Sequence, residues 1–321
     1  MATPGGRPQT SPPGGTGAGR VPDFFIVGHA KCGTSAIYRI LRRHPQVFMA
    51  VKEPRYFTPE LRSRFRRLAP QSGADTLDAY KALFARARPD QLAGEATPSY
   101  LRSHEAAARI AGANPRARIV ALFREPASYL RSFHQQALFN NFESETDLRK
   151  ALELEAARRQ GRRVPLLSHS PQSLLYMDHV KYVEQLSRYE AVFPPEQILT
   201  LIYEDFRADN EAVVRQILRF LGLDDALELK PIKTPPVPAV RSPLAQQLVW
   251  LSANLAYRRG KGDAVGRPTK ILRRLAYRDR QPPPDEQLTR ELRARVKGEV
   301  VALGEHLGLD LVSRWGYGEV D

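Results

Sequence analysis

Short apolar runs alternate with longer polar segments along most of the chain. Phe24–Gly28, Arg118–Phe123 and Ile198–Tyr203 are the strongest runs, and Val47–Val51 and Gln91–Ala96 are weaker ones. Unbroken apolar runs of this length are typical of parallel strands, because helices cover both faces of the sheet that they form. The pattern therefore predicts an α/β fold with a parallel β-sheet flanked by helices on both faces.

Helical periodicity fills the stretches between the runs. In Ser35–Arg43, apolar side chains recur at the spacing of one helix face. Proline suits the first turn of a helix, Asp or Asn suits the position before it, and Gly suits the position after its end. On these signals we expect further helices at Glu105–Gly112, from Pro126 onwards, from Asp209 or Asn210 to Leu221, and at Leu288–Leu307.

Three segments depart from this alternation. Residues 1–20 are mainly Pro, Gly, Thr, Ser and Ala, and we expect them to form a disordered tail ahead of a single domain over residues 21–321. Residues 139–175 are charged and weakly periodic, which predicts an insertion or lid. Residues 231–285 combine many prolines and basic residues with little strand signal. Both internal segments are expected to be variable loops.

The composition restricts the class of protein. The chain has 321 residues, of which 42% are hydrophobic, and this is enough for one sizeable core. No apolar run approaches the roughly 18–20 residues of a membrane span, and no secretory signal is visible. Cys32 is the only cysteine, so no internal disulfide can form. We therefore predict a cytoplasmic protein without a transmembrane segment.

The formal net charge of +14 is compatible with a nucleic-acid-binding protein. However, the basic residues are scattered over several predicted helices, often near Asp or Glu, and 39 of the 49 are arginine. A positive cleft for a small anionic substrate explains the charge equally well. We expect no nucleic-acid partner, and a basic nucleic-acid-binding protein stays open as the less favoured alternative.

The segment from Gly28 to Ser35 joins the first predicted strand to the first predicted helix. Backbone amides at a helix N-terminus and the helix dipole attract anions, and Gly28 and Gly33 permit a tight turn. Thr34 and Ser35 add hydroxyl groups. This pattern predicts a phosphate-binding loop, and the alternative is a strand–helix turn that binds nothing.

The spacing in this loop differs from that of a Walker A motif. A Walker A loop has Lys directly after its second glycine and then Ser or Thr for magnesium, whereas here Lys31 precedes Gly33. The run Arg118–Phe123 is followed by Arg124, with no Walker B aspartate at its end. We therefore expect phosphate binding without a metal ion. A magnesium-independent, kinase-like nucleotide enzyme is the alternative.

Several segments together resemble the sulfotransferases that use 3′-phosphoadenosine 5′-phosphosulfate (PAPS). The stretch PDFFIVGHAKCGTSAIYRILRRHP resembles their 5′-phosphosulfate loop, and RIVALFREPASYLRSF resembles their 3′-phosphate motif. The segments KEPRYF, GEATPSY, YEDF and FLG resemble further motifs of the branch that includes heparan-sulfate sulfotransferases and bacterial relatives. The resemblance extends from about Pro22 to Leu223, and its order and spacing are more specific than any one motif.

This resemblance implies a P-loop-like sulfotransferase fold with PAPS as co-substrate and no metal. It assigns Lys31 to both catalysis and donor binding, because a lysine there would meet the charge on the leaving phosphate oxygen. It also implies that a late basic loop completes the 3′-phosphate site, which Arg241-Ser242 or Arg258–Arg267 could supply. The donor-binding residues that we expect are Lys31, Cys32, Gly33, Thr34, Ser35, Ala36, Arg124, Ser132 and Arg241, with the Cys32 thiol itself assigned to packing.

Glu53 is the candidate general base, because the catalytic glutamate of the family stands at the matching position. A base that works near neutral pH needs a raised pKa. The alternative is that Glu53 forms a structural ion pair with Lys52 or Arg55. His134 and Glu95 are rival bases, of which Glu95 is better suited to a buried structural role.

The expected reaction is in-line transfer of a sulfonate group from PAPS to a hydroxyl or amine of a sugar, lipid or secondary metabolite. Ala96 stands where the heparan branch often has lysine, which puts a polyanionic glycosaminoglycan-like acceptor in doubt. The segments 58–90, 139–175 and 231–285 are expected to form the acceptor pocket.

Overall fold

The protein is built around a five-stranded parallel sheet with strand order β2-β3-β1-β4-β5. The computed structural model describes residues 19–61, 74–166, 168, 171–226, 238–258, 274–278 and 283–319. Most of the predicted tail thus lies outside the described residues, as do residues 62–73 of the predicted acceptor segment 58–90. In the late segment 231–285, residues 231–237, 259–273 and 279–282 also lie outside them, and these include all of the candidate loop Arg258–Arg267 except its first residue. The strands are β1 (Phe24–Gly28), β2 (Val47–Met49), β3 (Leu92–Ala96), β4 (Arg118–Phe123) and β5 (Ile198–Ile202).

The central position of β1 brings two strand ends together. β1 pairs with β3 on one side and with β4 on the other, and the β4 register runs from Phe24 opposite Arg118 to Gly28 opposite Leu122. Gly94 of β3 allows the close approach of β1, since a Cβ there would lie 2.1 Å from the Phe24 ring. The loops that follow β1 and β4 therefore meet at one edge of the sheet.

Helices flank this sheet, as predicted. The chain moves from β1 outward to β2 in one direction and from β4 outward to β5 in the other, and right-handed crossovers then place the connecting helices on opposite faces. No helix in the described stretches is long and apolar enough to cross a bilayer. The helices are α1 (Thr34–Leu41), α2 (Leu77–Ala82), α3 (Ala106–Ala113), α4 (Pro126–Phe139), α5 (Leu148–Glu153), α6 (Glu155–Arg159), α7 (Tyr176–His179), α8 (Tyr182–Glu190), α9 (Tyr203–Ala208), α10 (Asn210–Phe220), α11 (Pro243–Arg258), α12 (Glu286–Leu307) and α13 (Leu311–Arg314).

The predicted helix boundaries agree with those observed to within a few residues. Asp209 caps α10, and its carboxylate accepts from the Ala212 amide at 2.9 Å. The late segment differs from expectation. It contains the sixteen-residue helix α11, which we did not predict, and the short antiparallel strands β6 (Ala239–Val240) and β7 (Tyr277–Arg278).

A buried ion pair anchors the insertion at residues 139–175. Two nitrogens of the Arg158 guanidinium lie 2.8 Å from the two carboxylate oxygens of Glu143, and both side chains are at most 1% exposed. The hydroxyl of Tyr176 also donates to Glu143, at 2.9 Å. Because a buried charge is tolerated only when it is paired, this contact fixes the path of the insertion.

We predict that Arg158→Met destabilises the protein by about 3–5 kcal/mol, because it leaves the Glu143 carboxylate buried and unpaired. The adjacent Arg159 is a matched control. Its pair with Asp178 is half exposed, so Arg159→Met should cost about 1 kcal/mol or less. Urea unfolding of both variants measures the difference, and equal losses would contradict the anchoring role of Arg158.

Candidate active site

A cleft of about 1440 Å³ opens at the carboxyl edge of the sheet. This edge is where ligands of open α/β sheets bind. The loop after β1, the segment after β2, much of α4, and residues of α7, α9 and the start of α12 form its walls.

The loop after β1 has the backbone of an anion-binding turn. Gly28 and Gly33 adopt φ angles of 143° and 84°, and a Cβ at Gly33 would lie 2.8 Å from the Phe206 ring. Gly33 caps α1 without any side-chain hydrogen bond to the first-turn amides, and the first turn contains no acidic residue. Amide groups and the positive end of the α1 dipole are therefore directed at the cleft.

The structure brings most of the predicted loop residues to the cleft wall. Lys31, Gly33, Thr34, Ser35 and Ala36 line it. Lys31 has a left-handed backbone with a φ of 71°, which is uncommon for a residue with a side chain. Burial lowers the pKa of the Lys31 ammonium, and the nearby Arg124 lowers it further. This electrostatic cost would be offset by an anionic ligand.

Cys32 does not line the cleft. Its side chain is fully buried, and burial raises the pKa of the thiol to about 12. The thiol therefore stays protonated and packs beneath the loop. His29 is also buried, between the rings of Tyr129 and Tyr182 at 4.9 and 5.0 Å, and burial lowers its pKa to about 3.

Arg124 joins the end of β4 to the loop after β1. Its Nη1 donates to the carbonyl oxygen of Lys31 at 2.8 Å, and its Nη2 donates to the Ser128 hydroxyl at 2.6 Å. The guanidinium also lies over the ring of Tyr203, 4.7 Å from its centre. Its Nε is buried without a hydrogen-bond partner among the described residues. Three contacts thus hold Arg124 in the cleft wall.

Ser132 lines the cleft one helical turn beyond Ser128 on α4. Sequence reasoning missed Ser128, the serine that contacts Arg124. Arg241 lies elsewhere: its side chain is exposed beside β6, and it is not among the cleft-lining residues. The structure therefore gathers Lys31, Arg124 and Ser132 around one cleft but does not bring Arg241 to it.

Glu53 stands in the cleft wall between two cations. Its carboxylate oxygens lie 2.5 Å from the Lys52 ammonium and 2.7 Å from the Arg55 guanidinium. Burial acts to raise the pKa of Glu53, but the two cations outweigh it and lower the pKa from 4.5 to about 2. Glu53 thus forms the ion pairs with Lys52 and Arg55 that we expected if its role is structural. Glu53 and Arg55 also have left-handed backbones, with φ angles of 60° and 55°.

The rival bases occupy different environments. Glu95 is buried outside the cleft lining, where it accepts from the hydroxyls of Thr97 and Tyr80, and burial raises its pKa to about 7. His134 lines the cleft, but its Nε2 donates to the Glu145 carbonyl oxygen at 2.8 Å. Burial lowers the pKa of His134, so its ring is neutral.

His179 on α7 is a further cleft residue that sequence reasoning missed. Its Nδ1 shares a hydrogen bond with the Tyr129 hydroxyl at 2.8 Å, and its Nε2 has no hydrogen-bond partner among the described residues. Burial lowers its pKa well below 6.5. No local motif surrounds it in the sequence, so only the fold shows that it reaches the cleft.

The cleft is strongly positive. Among the described residues that line it, seven are Lys or Arg and three are Asp or Glu. No group of three or more His, Cys, Asp or Glu side chains in the described stretches could hold a metal ion. The basic residues are Lys31, Lys52, Arg55, Arg102, Arg124, Arg131 and Arg207, and the acidic ones are Glu53, Asp147 and Asp285.

Comparison with known proteins gives the same assignment as the motifs. Residues 22–226 match the model of the Sulfotransferase family. Heparan sulfate glucosamine 3-O-sulfotransferase 3B1 of Homo sapiens is 28% identical over 209 residues, which are 65% of this chain and 48% of that protein. Bifunctional heparan sulfate N-deacetylase/N-sulfotransferase 3 of Homo sapiens is 27% identical over 64% of this chain and 22% of its own. The chain thus spans about half or less of the length of these relatives.

A solved bacterial structure extends the likeness to the fold. The sulfotransferase from Alicyclobacillus acidocaldarius is 26% identical, with a TM-score of 0.59 over 79% of this chain and 99% of its own. The family match includes β1 to β5 and every predicted site residue except Arg241. The predicted resemblance is therefore confirmed, and the chain belongs to the sulfotransferase family.

Proposed function

We propose that this protein transfers a sulfonate group from PAPS to a hydroxyl or amine of a small-molecule or carbohydrate acceptor. The observation that supports this proposal most is the contact of Arg124 with the Lys31 carbonyl. It joins an anion-binding helix N-terminus to a cleft arginine, so that one ligand with two separated anionic groups could contact both. PAPS is such a ligand, with a phosphosulfate at one end and a 3′-phosphate at the other.

The cleft residues suit an in-line transfer. The acceptor oxygen or nitrogen would form a bond to sulfur while the bond from sulfur to the 5′-phosphate oxygen breaks. Lys31 and the amides of the loop would stabilise the charge that develops on the leaving oxygen. Glu53 would take the proton that the acceptor loses. Arg124 and Ser132 would bind the 3′-phosphate, for which a planar guanidinium is well matched.

Glu53 can act as a base only if its ion pairs rearrange. A carboxylate with a pKa of about 2 is a weak base, so we infer that donor binding draws Lys52 away from it. Lys52 would then be available to contact the sulfonate. His134 and His179 are the next candidates, because both line the cleft as neutral rings.

The proposal also concerns the class of acceptor and the cellular location of the protein. The relatives named above act on heparan sulfate according to their names, but Ala96 departs from the heparan branch and is fully buried in β3. The insertion contributes Phe142, Thr146 and Leu148 to the cleft wall, which supports its role in holding the acceptor. A cytoplasmic location stays a prediction from composition.

We expect adenosine 3′,5′-bisphosphate, the desulfated product, to stabilise the protein far more than ADP does. Arg124 and Ser132 would contact the 3′-phosphate that ADP lacks. A ligand at about one hundred times its dissociation constant adds roughly 2.7 kcal/mol to the free energy of unfolding. Thermal unfolding with each nucleotide measures this effect, and EDTA should not change it. Equal shifts with ADP would favour the kinase-like alternative.

Lys31→Ala should impair turnover more than donor binding. The loop amides would still hold the phosphosulfate, whereas the charge at the leaving oxygen matters most in the transition state. Steady-state kinetics and calorimetric titration with adenosine 3′,5′-bisphosphate separate the two effects. A normal kcat with a greatly raised KM would mean that Lys31 only binds the donor.

Glu53→Gln should lower kcat by about 10²–10⁴-fold and leave product affinity unchanged, because glutamine cannot accept the acceptor proton. If Glu53 only forms structural ion pairs with Lys52 and Arg55, the variant should instead lose stability and keep its turnover. Chemical unfolding beside kinetics distinguishes the two roles.

Arg55→Met provides a second test of Glu53. Removing one of the two cations should raise the pKa of Glu53 from about 2 towards its ordinary 4.5. If Glu53 is the base, activity is lost as this carboxylate becomes protonated, so the acidic limb of the pH profile should move to higher pH. A limb that does not move, or one that persists in Glu53→Gln, would assign the base to another residue.

A further inference from the structure

Helix α11 presents leucines to solvent. Leu244, Leu248 and Leu251 are 74%, 53% and 54% exposed. At 100° per residue, these three positions lie within about 60° of one another, so they form one apolar stripe. Leu275 is also exposed. The remaining exposed large hydrophobic side chains of the described regions lie on other parts of the fold.

The opposite side of α11 packs on the rest of the domain. Gln246 is 1% exposed, and its Nε2 donates to the Leu138 carbonyl oxygen at 2.9 Å and also to that of Phe139 at the end of α4. Gln246 is about 200° around the helix from Leu244 and from Leu248. These two hydrogen bonds hold the Gln246 side of α11 against the end of α4, so the leucine stripe faces outward.

Exposed arginines lie beside the N-terminal end of this helix. The pairing of β6 with β7 and the bond from the Arg241 amide to the Ala276 carbonyl oxygen, at 2.7 Å, bring residues 274–278 next to Arg241. The side chains of Arg241, Arg274 and Arg278 are exposed. No Asp or Glu occurs in the described stretches 238–258 and 274–278. The surface is thus both apolar and positively charged.

We propose that this surface, the α11 face formed by Leu244, Leu248 and Leu251 with the flanking Arg241, Arg274 and Arg278, docks on an anionic phospholipid bilayer. Leucine side chains that enter the boundary between headgroups and acyl chains gain burial, and arginines pair with lipid phosphates. The charge of the arginines favours such a bilayer over an apolar protein partner. The proposal goes beyond sulfonate transfer and does not depend on it.

Docking would also orient the cleft. Gln246 holds α11 against Leu138 and Phe139, and the next residue, Asn140, lines the cleft. The Asn140 end of the cleft would then lie one helix diameter, roughly 10 Å, from the lipid surface.

Flotation of the full chain with lipid vesicles tests the proposal. Vesicles of phosphatidylcholine with about a quarter phosphatidylglycerol should carry the wild-type protein, and vesicles of phosphatidylcholine alone should carry much less. The triple change Leu244→Gln, Leu248→Gln and Leu251→Gln should reduce binding at least about tenfold. Changing Arg274 and Arg278 to Gln should reduce it about fivefold for each arginine, and added salt should weaken the wild type.

Leu166→Gln and Leu309→Gln are matched controls, because these leucines are 76% and 40% exposed on other elements and should leave vesicle binding unchanged. Urea unfolding of each variant reports folding separately from lipid binding. The proposal is overturned if the wild type does not float, or if the α11 triple variant binds as well as the controls. It is also overturned if the wild type dimerises in solution and the triple variant is monomeric, because a second copy would then cover the stripe.

Discussion

Arg124 donates a hydrogen bond to the backbone of Lys31, and the rest of the cleft depends on this contact between β4 and the loop after β1. The pairing of β1 with β4 brings the turn after β1 beside the start of α4, and this hydrogen bond joins the two. Tyr203, from the helix after β5, supports the same guanidinium from its ring face. The ends of three neighbouring strands therefore converge on one arginine.

A second layer of contacts fixes the chain around Arg124. Glu125 caps α4 and accepts from the Tyr317 hydroxyl at 2.5 Å. Glu204 accepts from the Glu125 amide at 3.3 Å and from the Trp315 ring nitrogen at 3.1 Å. Residues after α13 thereby reach the turn that presents Arg124. A part of the chain beyond the family match therefore contacts this turn.

The sheet could be predicted from the apolar runs, whereas most of the candidate residues that line the cleft were predicted from the resemblance of their segments to sulfotransferase motifs. Apolar runs mark β1 and β4, and the glycines of the loop between β1 and α1 mark a turn that few sequences can form. Ser128 and His179 could not be found in this way. Ser128 lies within RIVALFREPASYLRSF, but only the structure shows that its hydroxyl contacts Arg124. His179 reaches the cleft through the packing of α7 and belongs to no local motif. Helix α11 was missed because residues 231–285 were interpreted from their prolines, basic residues and weak strand signal, although Leu244, Leu248 and Leu251 recur at helical spacing.

The positive charges that line the cleft outnumber the negative ones, and an anionic ligand would offset this excess. Seven cations share the cleft with three acidic side chains, and burial together with Arg124 lowers the pKa of Lys31. Mutual repulsion of this kind is relieved when an anion binds, because each cation then gains an opposite charge. Glu53 shows the reverse case: its carboxylate is already neutralised by Lys52 and Arg55. An anionic donor that draws Lys52 towards itself would weaken that neutralisation and raise the pKa of Glu53. Donor binding and activation of the base would then be one electrostatic event.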